Sequence, residues 1–154
     1  MIQRTLVLIK PDGVERGLIG EIIKRFEQRG LKIVGMKMVW VNKEFAKKHY
    51  SEHIDKPFFE ELLTMITEGP VVAIALEGRN AIKVVRKIVG STFPEEALPG
   101  TIRGDYAHSL VEGRNLVHAS ANEKDAEKEL SLWFKEEDLK EYERSDEKLT
   151  IGKR

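Results

Sequence analysis

The chain contains no cysteine, which removes disulfides and thiolate metal sites from consideration. No apolar run approaches the ~18 residues of a membrane-spanning helix. The first such run, Leu6 to Ile9, stops at Lys10-Pro11 and does not read as a signal peptide, so a soluble, cytoplasmic protein is expected. An excess of either charge is also missing, because Lys plus Arg and Asp plus Glu each number 26. That balance argues against a general nucleic-acid or anionic-membrane binder but leaves room for a local basic cleft. The chain has no G-x-x-x-x-G-K-[ST], no G-x-S-x-G and no H-E-x-x-H. Arg16-Gly17 and Gly35 do not complete a dinucleotide fingerprint.

What remains is ample for one folded unit. A chain of 154 residues, 41% of them hydrophobic, reads as a single domain over 1–154 that buries about 68–70% of its unfolded surface. Charged residues reach 34%, a composition that suits a heat-adapted protein. Thr5 to Ile9 is a continuous apolar run rich in strand formers, hence a buried central strand closed by the turn Lys10-Pro11-Asp12-Gly13. Ile19, Ile22, Ile23 and Phe26 follow helical spacing, with Gly30 placed to end the helix. Leu31 to Val41, carrying Trp40, is the second strand. Asn42 is placed to cap a helix through Tyr50, and Pro57 fits the first turn of another over Phe58 to Thr67. Val71 to Leu76 is the third strand, followed by a helix capped by Asn80 and closed after Val89 by Gly90. The irregular stretch from Ser91 to Gly113 is long enough to suggest function. The fourth strand is Leu116 to Ala119; a final helix puts Ala126, Leu130 and Trp133 or Phe134 on one face. The charged end from Lys135 packs on the surface or frays. The Lys-Ile-Val-Gly tetrapeptide at 32–35 and 87–90 falls in unlike elements and is not a repeat.

Apart from the helical pair between strands two and three, the order is βαββαβ. That order implies an α/β (α+β) ferredoxin-like sandwich, a four-stranded antiparallel sheet with helices packed on one face.

The chemistry centres on Asn115-Leu116-Val117-His118-Ala119-Ser120. His118 ends a strand, and Ser120 to Glu123 has the S-x-x-E spacing of a capping box. Free N–H groups at a helix start attract phosphate, and imidazole is a competent nucleophile near neutral pH. A histidine in this place is also a common structural residue, so partners decide the matter. If His118 attacks phosphorus, cations and donors must meet the charge on the transferred group. Arg86 on a helix, Thr92, and Arg103 within Gly100-Thr101-Ile102-Arg103-Gly104 are placed to do so, or else the arginines pair with surface acids such as Glu95 and Glu96. Lys10 follows a buried strand directly, as a ligand donor or a snorkelling residue. Asn115 and Ser120 flank the histidine as phosphate or hydroxyl partners, or as a turn residue and an N-cap. Glu129 is either an orienting carboxylate for the imidazole or a solvated one. Phe58 beside Pro57 offers a stacking platform for a nucleobase, or an ordinary helix-face residue. Tyr50 packs near the site or simply ends its helix. Of the other histidines, His53 is a plausible phosphate neighbour, His49 reads as helical and exposed, and His108 falls in the irregular stretch.

With these residues assembled, the chain resembles the nucleoside diphosphate kinase family over nearly its whole length. The likeness runs through Lys10-Pro11-Asp12-Gly13 with Arg16-Gly17, Gly20 to Gly30, His49-Tyr50, Pro57-Phe58-Phe59 and Gly69-Pro70-Val71-Val72. It continues through Pro99 to Asp105, Gly113-Arg114-Asn115 with His118 and Ser120, and Ala126 to Phe134. The resemblance implies ping-pong transfer of the γ-phosphate from a nucleoside triphosphate such as ATP to a nucleoside diphosphate, through a phosphohistidine on His118. It implies that Lys10 and Asn115 hold the ribose hydroxyl end, and Lys10 also the transferred phosphate. Arg86, Thr92 and Arg103 then bind phosphates bridged by Mg²⁺, Phe58 stacks on the base backed by Leu62, and Ser120 and Glu129 position His118. His53 matches a phosphate contact found in part of the family. Homo-oligomers are implied, hexamers first and tetramers second.

Two departures stand out. The segment between Asp105 and Gly113 is slightly longer than the family pattern. Ala121 stands where the family usually has aspartate, removing a helix N-terminal charge worth roughly 0.3–1 kcal/mol. The tail after Lys135 also differs. Two rivals remain: a non-catalytic nucleotide-binding regulatory module, in which no arginines converge on His118, and an RNA-binding module, which needs aromatic residues on the central strands.

Overall fold

In the computed structural model, which describes residues 1–152, the central strand β1 (Ile2–Ile9) lies between β3 (Val71–Arg79) and β4 (Val117–Ala119), with β2 (Lys32–Val39) beyond β3. Every pairing is antiparallel and the order is β2-β3-β1-β4. Leu6 to Ile9 are fully buried because β1 is covered on both sides. Val7 and Ile9 pack with Ile22 and Phe26 of α2 (Ile19–Glu27) and Val85 of α5 (Ala81–Val89). Leu6 and Leu8 face the other way, onto Ala46 of α3 (Lys43–His49), Leu63 of α4 (Phe59–Thr67) and Trp133 of α7 (Glu123–Trp133). The expectation of helices on one face is therefore corrected. The helical pair between β2 and β3, together with α7, closes the second face, which explains why β1 reads as apolar at consecutive positions.

Most boundaries follow local chemistry. Asn42 accepts from the Phe45 N–H at 2.9 Å and caps α3. Gly30, at φ +91°, supplies the left-handed residue after α2. Three expectations are corrected. The second strand ends at Val39, leaving Trp40 beyond it with its indole N–H on the Thr67 carbonyl. Asn80 does not cap α5 through its side chain; it sits at φ +53°, turning the chain out of β3. The helix over 58–67 begins at Phe59, with Pro57 ahead of it.

The irregular stretch contains a helix, α6 (Ile102–Tyr106), capped by the Thr101 hydroxyl on the Gly104 N–H at 3.0 Å. A five-residue α1 (Pro11–Glu15) follows β1 directly. The charged tail packs rather than frays. The Lys140 N–H bonds the Val34 carbonyl at 2.7 Å, opposite an irregularity in β2 between Ile33 and Gly35. Beyond it, α8 (Glu147–Thr150) delivers the Glu147 carboxylate to Lys32 at 2.6 Å. Lys153 and Arg154 lie outside the described residues.

Candidate active site

His118 is placed by the shortest strand of the sheet. In β4 it stands opposite Leu8 of β1, so its side chain emerges on the face covered by α3, α4 and α7. The backbone entering β4 is strained: Leu116 has φ +77°, and the Val117 N–H reaches back to the Asn115 carbonyl at 3.0 Å, a γ-turn. Lys10-Pro11-Asp12-Gly13 holds this turn. Asp12 accepts from the Leu116 N–H at 3.0 Å, and the Lys10 N–H donates to the Leu116 carbonyl at 2.8 Å. A Cβ on Gly13 would lie 3.1 Å from that same carbonyl. The tetrapeptide is thus more than a turn, and Asp12 is a site-building residue that its turn-like context concealed.

Glu129, on α7, meets His118 Nε2 at 2.6 Å. The Ser120 hydroxyl donates to the same carboxylate oxygen at 3.0 Å and accepts from the Leu6 N–H at 3.3 Å. Ser120 is therefore not the N-cap of α7. That role falls to Asn122, whose Oδ1 accepts from the Asp125 N–H at 2.8 Å. With Nε2 given to a carboxylate acceptor, the neutral ring carries its proton there and leaves Nδ1 with a free lone pair.

Cationic groups converge on this ring. Lys10 is buried, and its ammonium donates to the Gly113 carbonyl at 2.9 Å and to Asn115 Oδ1 at 2.8 Å. Burial and then the Arg103 charge pull its pKa down to about 7, against a smaller opposing pull from Asp12. Arg103 lies on α6 rather than in a loop. It bonds the carbonyls of Asn115 at 3.2 Å, Gly90 at 3.0 Å and Val117 at 2.6 Å, not surface acids. Burial and then the Arg86 charge lower it to about 10, with Asp12 opposing. Arg86, exposed on α5, donates to the Ala119 carbonyl at 3.2 Å. Asn115 ties the loop in, its amide N–H on the Thr92 carbonyl at 2.9 Å.

These groups line one cleft of about 750 Å³, the size of a small-molecule site. Every residue named for the site from the sequence borders it except Ser120, which acts from behind Glu129. Phe58 guards one side at 37% exposure, with Leu62 beneath it. The His53 ring lies 5.5 Å from that of Phe58 and 6.2 Å from that of Tyr50. Tyr50 is buried, its phenol raised by burial, with its hydroxyl unpartnered among the described residues.

His49 overturns its sequence reading. It is not exposed but borders the cleft, 4.7 Å from the His118 ring. Ala121 is exposed at the cleft margin. The segment before Gly113 folds back through a bridge between Val111 and Arg114, and Arg114 pairs with Glu68 at 2.6 Å. Among the described residues, no three His, Asp or Glu side chains come together to hold a metal, and no helix is long and apolar enough to cross a membrane.

An oriented imidazole that shares a cleft with Lys10, Arg86 and Arg103, and with the ring of Phe58, has the geometry of a phosphoryl-transfer site on a nucleotide. Comparison with known proteins agrees. The family model described as nucleoside diphosphate kinase matches residues 3–139. A nucleoside diphosphate kinase of Archaeoglobus fulgidus is 56% identical over 146 residues, 95% of each chain. One from Pyrococcus furiosus is 58% identical over 142 residues, 92% of this chain and 88% of its own. Among solved structures, the Halobacterium salinarum enzyme in complex with CDP superposes with a TM-score of 0.93 at 45% identity, covering 98% of this chain and 99% of that one. A transition state mimic of the Borrelia burgdorferi enzyme, with bound vanadate and ADP, gives 0.91 at 42% identity and 96% of each chain. The chain belongs to the nucleoside diphosphate kinase family.

Proposed function

We propose that this chain moves the terminal phosphoryl group of a nucleoside triphosphate to a nucleoside diphosphate by way of His118 Nδ1. The observation that carries the reading is the 2.6 Å contact between His118 Nε2 and Glu129, which leaves Nδ1 as the nucleophilic nitrogen. In the first half-reaction the Nδ1 lone pair forms a bond to the γ-phosphorus. The bond from that phosphorus to the β,γ-bridging oxygen breaks, and the diphosphate leaves with the electron pair. In the second, a β-phosphate oxygen of the acceptor attacks the phosphohistidine and the N–P bond breaks back onto Nδ1. The ring becomes cationic on phosphorylation, and the Glu129 carboxylate, held by Ser120, stabilises that charge.

Lys10, Arg86 and Arg103 supply positive charge where the transferring oxygens gather it. Thr92 and Asn115 complete the phosphate and ribose contacts, with His53 as a further phosphate neighbour. Phe58 stacks on the base with Leu62 behind it, a contact indifferent to base identity. Lys10, Arg86 and Arg103 suit phosphate oxygens, and Mg²⁺ would be held through the nucleotide phosphates and would offset part of their charge.

The rival regulatory module is disfavoured, since Arg86 and Arg103 share the cleft with His118. The RNA-binding reading lacks its platform, because β1 and β3 carry no aromatic residue. We place the activity in the cytoplasm, in a single domain over 1–154. We also read it as a homo-oligomer, a hexamer ahead of a tetramer. The family resemblance supports that reading, as do the exposed Met36 and Met38 on edge strand β2.

The test is incubation with γ-labelled ATP and no acceptor, then a chase with an unrelated nucleoside diphosphate. The expected label is acid-labile, alkali-stable, located on His118 and lost to the diphosphate. No label on the wild type, or equal labelling of His118→Ala, overturns the mechanism.

A further inference from the structure

Helix α7 holds a second imidazole. Trp133, one turn beyond Glu129, is fully buried, and its indole N–H donates to His49 Nδ1 at 3.1 Å. An indole can only donate, so His49 Nδ1 must be the acceptor and the ring proton sits on Nε2. Burial comes first, and unfavourable charge interactions with its neighbours, Lys10 and Lys128 among them, add to it; together they hold this imidazole well below its ordinary range, so it stays neutral. Its ring meets that of His118 edge to face, at 4.7 Å and 81°, and that of Tyr50 at 4.6 Å and 69°. His49 Nε2 is buried and has no hydrogen-bond partner among the described residues. The arrangement has a direct consequence for His118. Glu129 fixes one atom of the His118 ring, and a single hydrogen bond leaves the ring free to tilt about it. The ring of His49, itself hydrogen-bonded by Trp133, packs against it at 4.7 Å between centroids.

We propose that His49 is a positioning residue for phosphoryl transfer. On this view Trp133 locks its tautomer, and its contact with His118 keeps Nδ1 of that ring turned toward the cleft. The proposal rests on His118 being the phosphorylated residue. It also explains why this position carries histidine rather than phenylalanine: a buried indole N–H needs an acceptor, and leaving it without one would loosen both rings.

The test begins with the wild-type protein and needs no variant. Side-chain ¹⁵N spectra should show His49 protonated on Nε2 alone, with Nδ1 accepting, and His118 in the same single tautomer. The same preparation is then phosphorylated by γ-labelled ATP in single turnovers. His49→Phe keeps a ring and removes the acceptor. Its saturating rate of His118 phosphorylation should fall about tenfold with half-saturation by nucleotide unchanged, and its His118 nitrogen signals should move toward averaged values. His49→Asn places an amide oxygen near the Nδ1 position and should recover the rate to within about twofold. A wild-type His49 that is cationic or protonated on Nδ1 overturns the proposal. So does a His49→Phe variant with wild-type rate and an unchanged His118 signal. A wild type that takes no label at His118 fails the phosphohistidine reading itself.

Discussion

Two lysines are buried in the sheet region, Lys32 at the start of β2 and Lys10 just after β1, and the protein treats them differently. Lys32 starts β2 at 3% exposure and meets two carboxylates, Glu147 at 2.6 Å and Glu77 at 3.4 Å, with the Tyr142 carbonyl as a further acceptor. Arg4 adds a second cation on Glu77 at 3.0 Å. Lys10, at 6% exposure, has only the neutral oxygens of Gly113 and Asn115, and no carboxylate within ion-pair distance among the described residues. Desolvating a charge is costly unless an opposite charge offsets it. Where the countercharge is built in, as at Lys32, the cation ties the tail to the sheet. At Lys10 no carboxylate is in place among the described residues, which is the condition the proposed phosphate-binding role requires.

Substitutions should separate these roles. The largest expected effect is at Lys32. Lys32→Met takes the shared ammonium from two buried carboxylates and should cost about 3–5 kcal/mol. Urea unfolding would show this, with phosphoryl transfer at moderate temperature retained. A loss of transfer matching that of a Lys10 variant would erase the distinction. Lys10→Met should do the reverse. Transfer should fall by roughly 10²–10³, as when one donor to developing charge is removed, while the unfolding midpoint stays near wild type because an uncompensated charge has gone.

The smallest effect is a proton count. The Lys10 pKa lies at about 7 in the free protein against an ordinary 10.5. Between those values the folded chain holds fewer protons than the unfolded one, so this group's contribution to stability rises with pH across that window and falls as pH drops toward 7. A bound phosphate favours the charged form and raises the pKa. ADP binding at pH 8, where the nucleotide is fully ionised, should therefore take up protons. Calorimetry in buffers of different ionisation enthalpy would show it, and Lys10→Met should abolish it.

The parts legible in the sequence were those governed by local pattern. Apolar runs marked β1 and β3, and residue types in order along the chain marked Lys10, Arg86, Arg103, Asn115 and His118. What stayed hidden depended on which of several competent groups the tertiary structure would employ. Ser120 and Asn122 both suit an N-cap; the position of Glu129 beneath β4 recruited the serine and left the cap to asparagine. Asp12 looked like a turn residue because its partner, the Leu116 N–H, lies 104 positions away. His49 looked solvated because nothing near it in sequence announces Trp133 or His118. The second covered face of the sheet was hidden for a similar reason, since α7 reaches it from the far end of the chain.

The pairing of Leu8 with His118 and of Val7 with Ala119 also bears on how the protein is made. Synthesis runs from the N-terminus, so β1, β2 and β3 and the helices between them leave the ribosome before the strand that bears the nucleophile. Helix α7, which orients that nucleophile, follows later still. A truncated or stalled chain can therefore hold most of a sheet and still lack the oriented imidazole. Pairings so distant in sequence are slow to close relative to local ones, so competence depends on contacts that join the first strand to the last third of the chain.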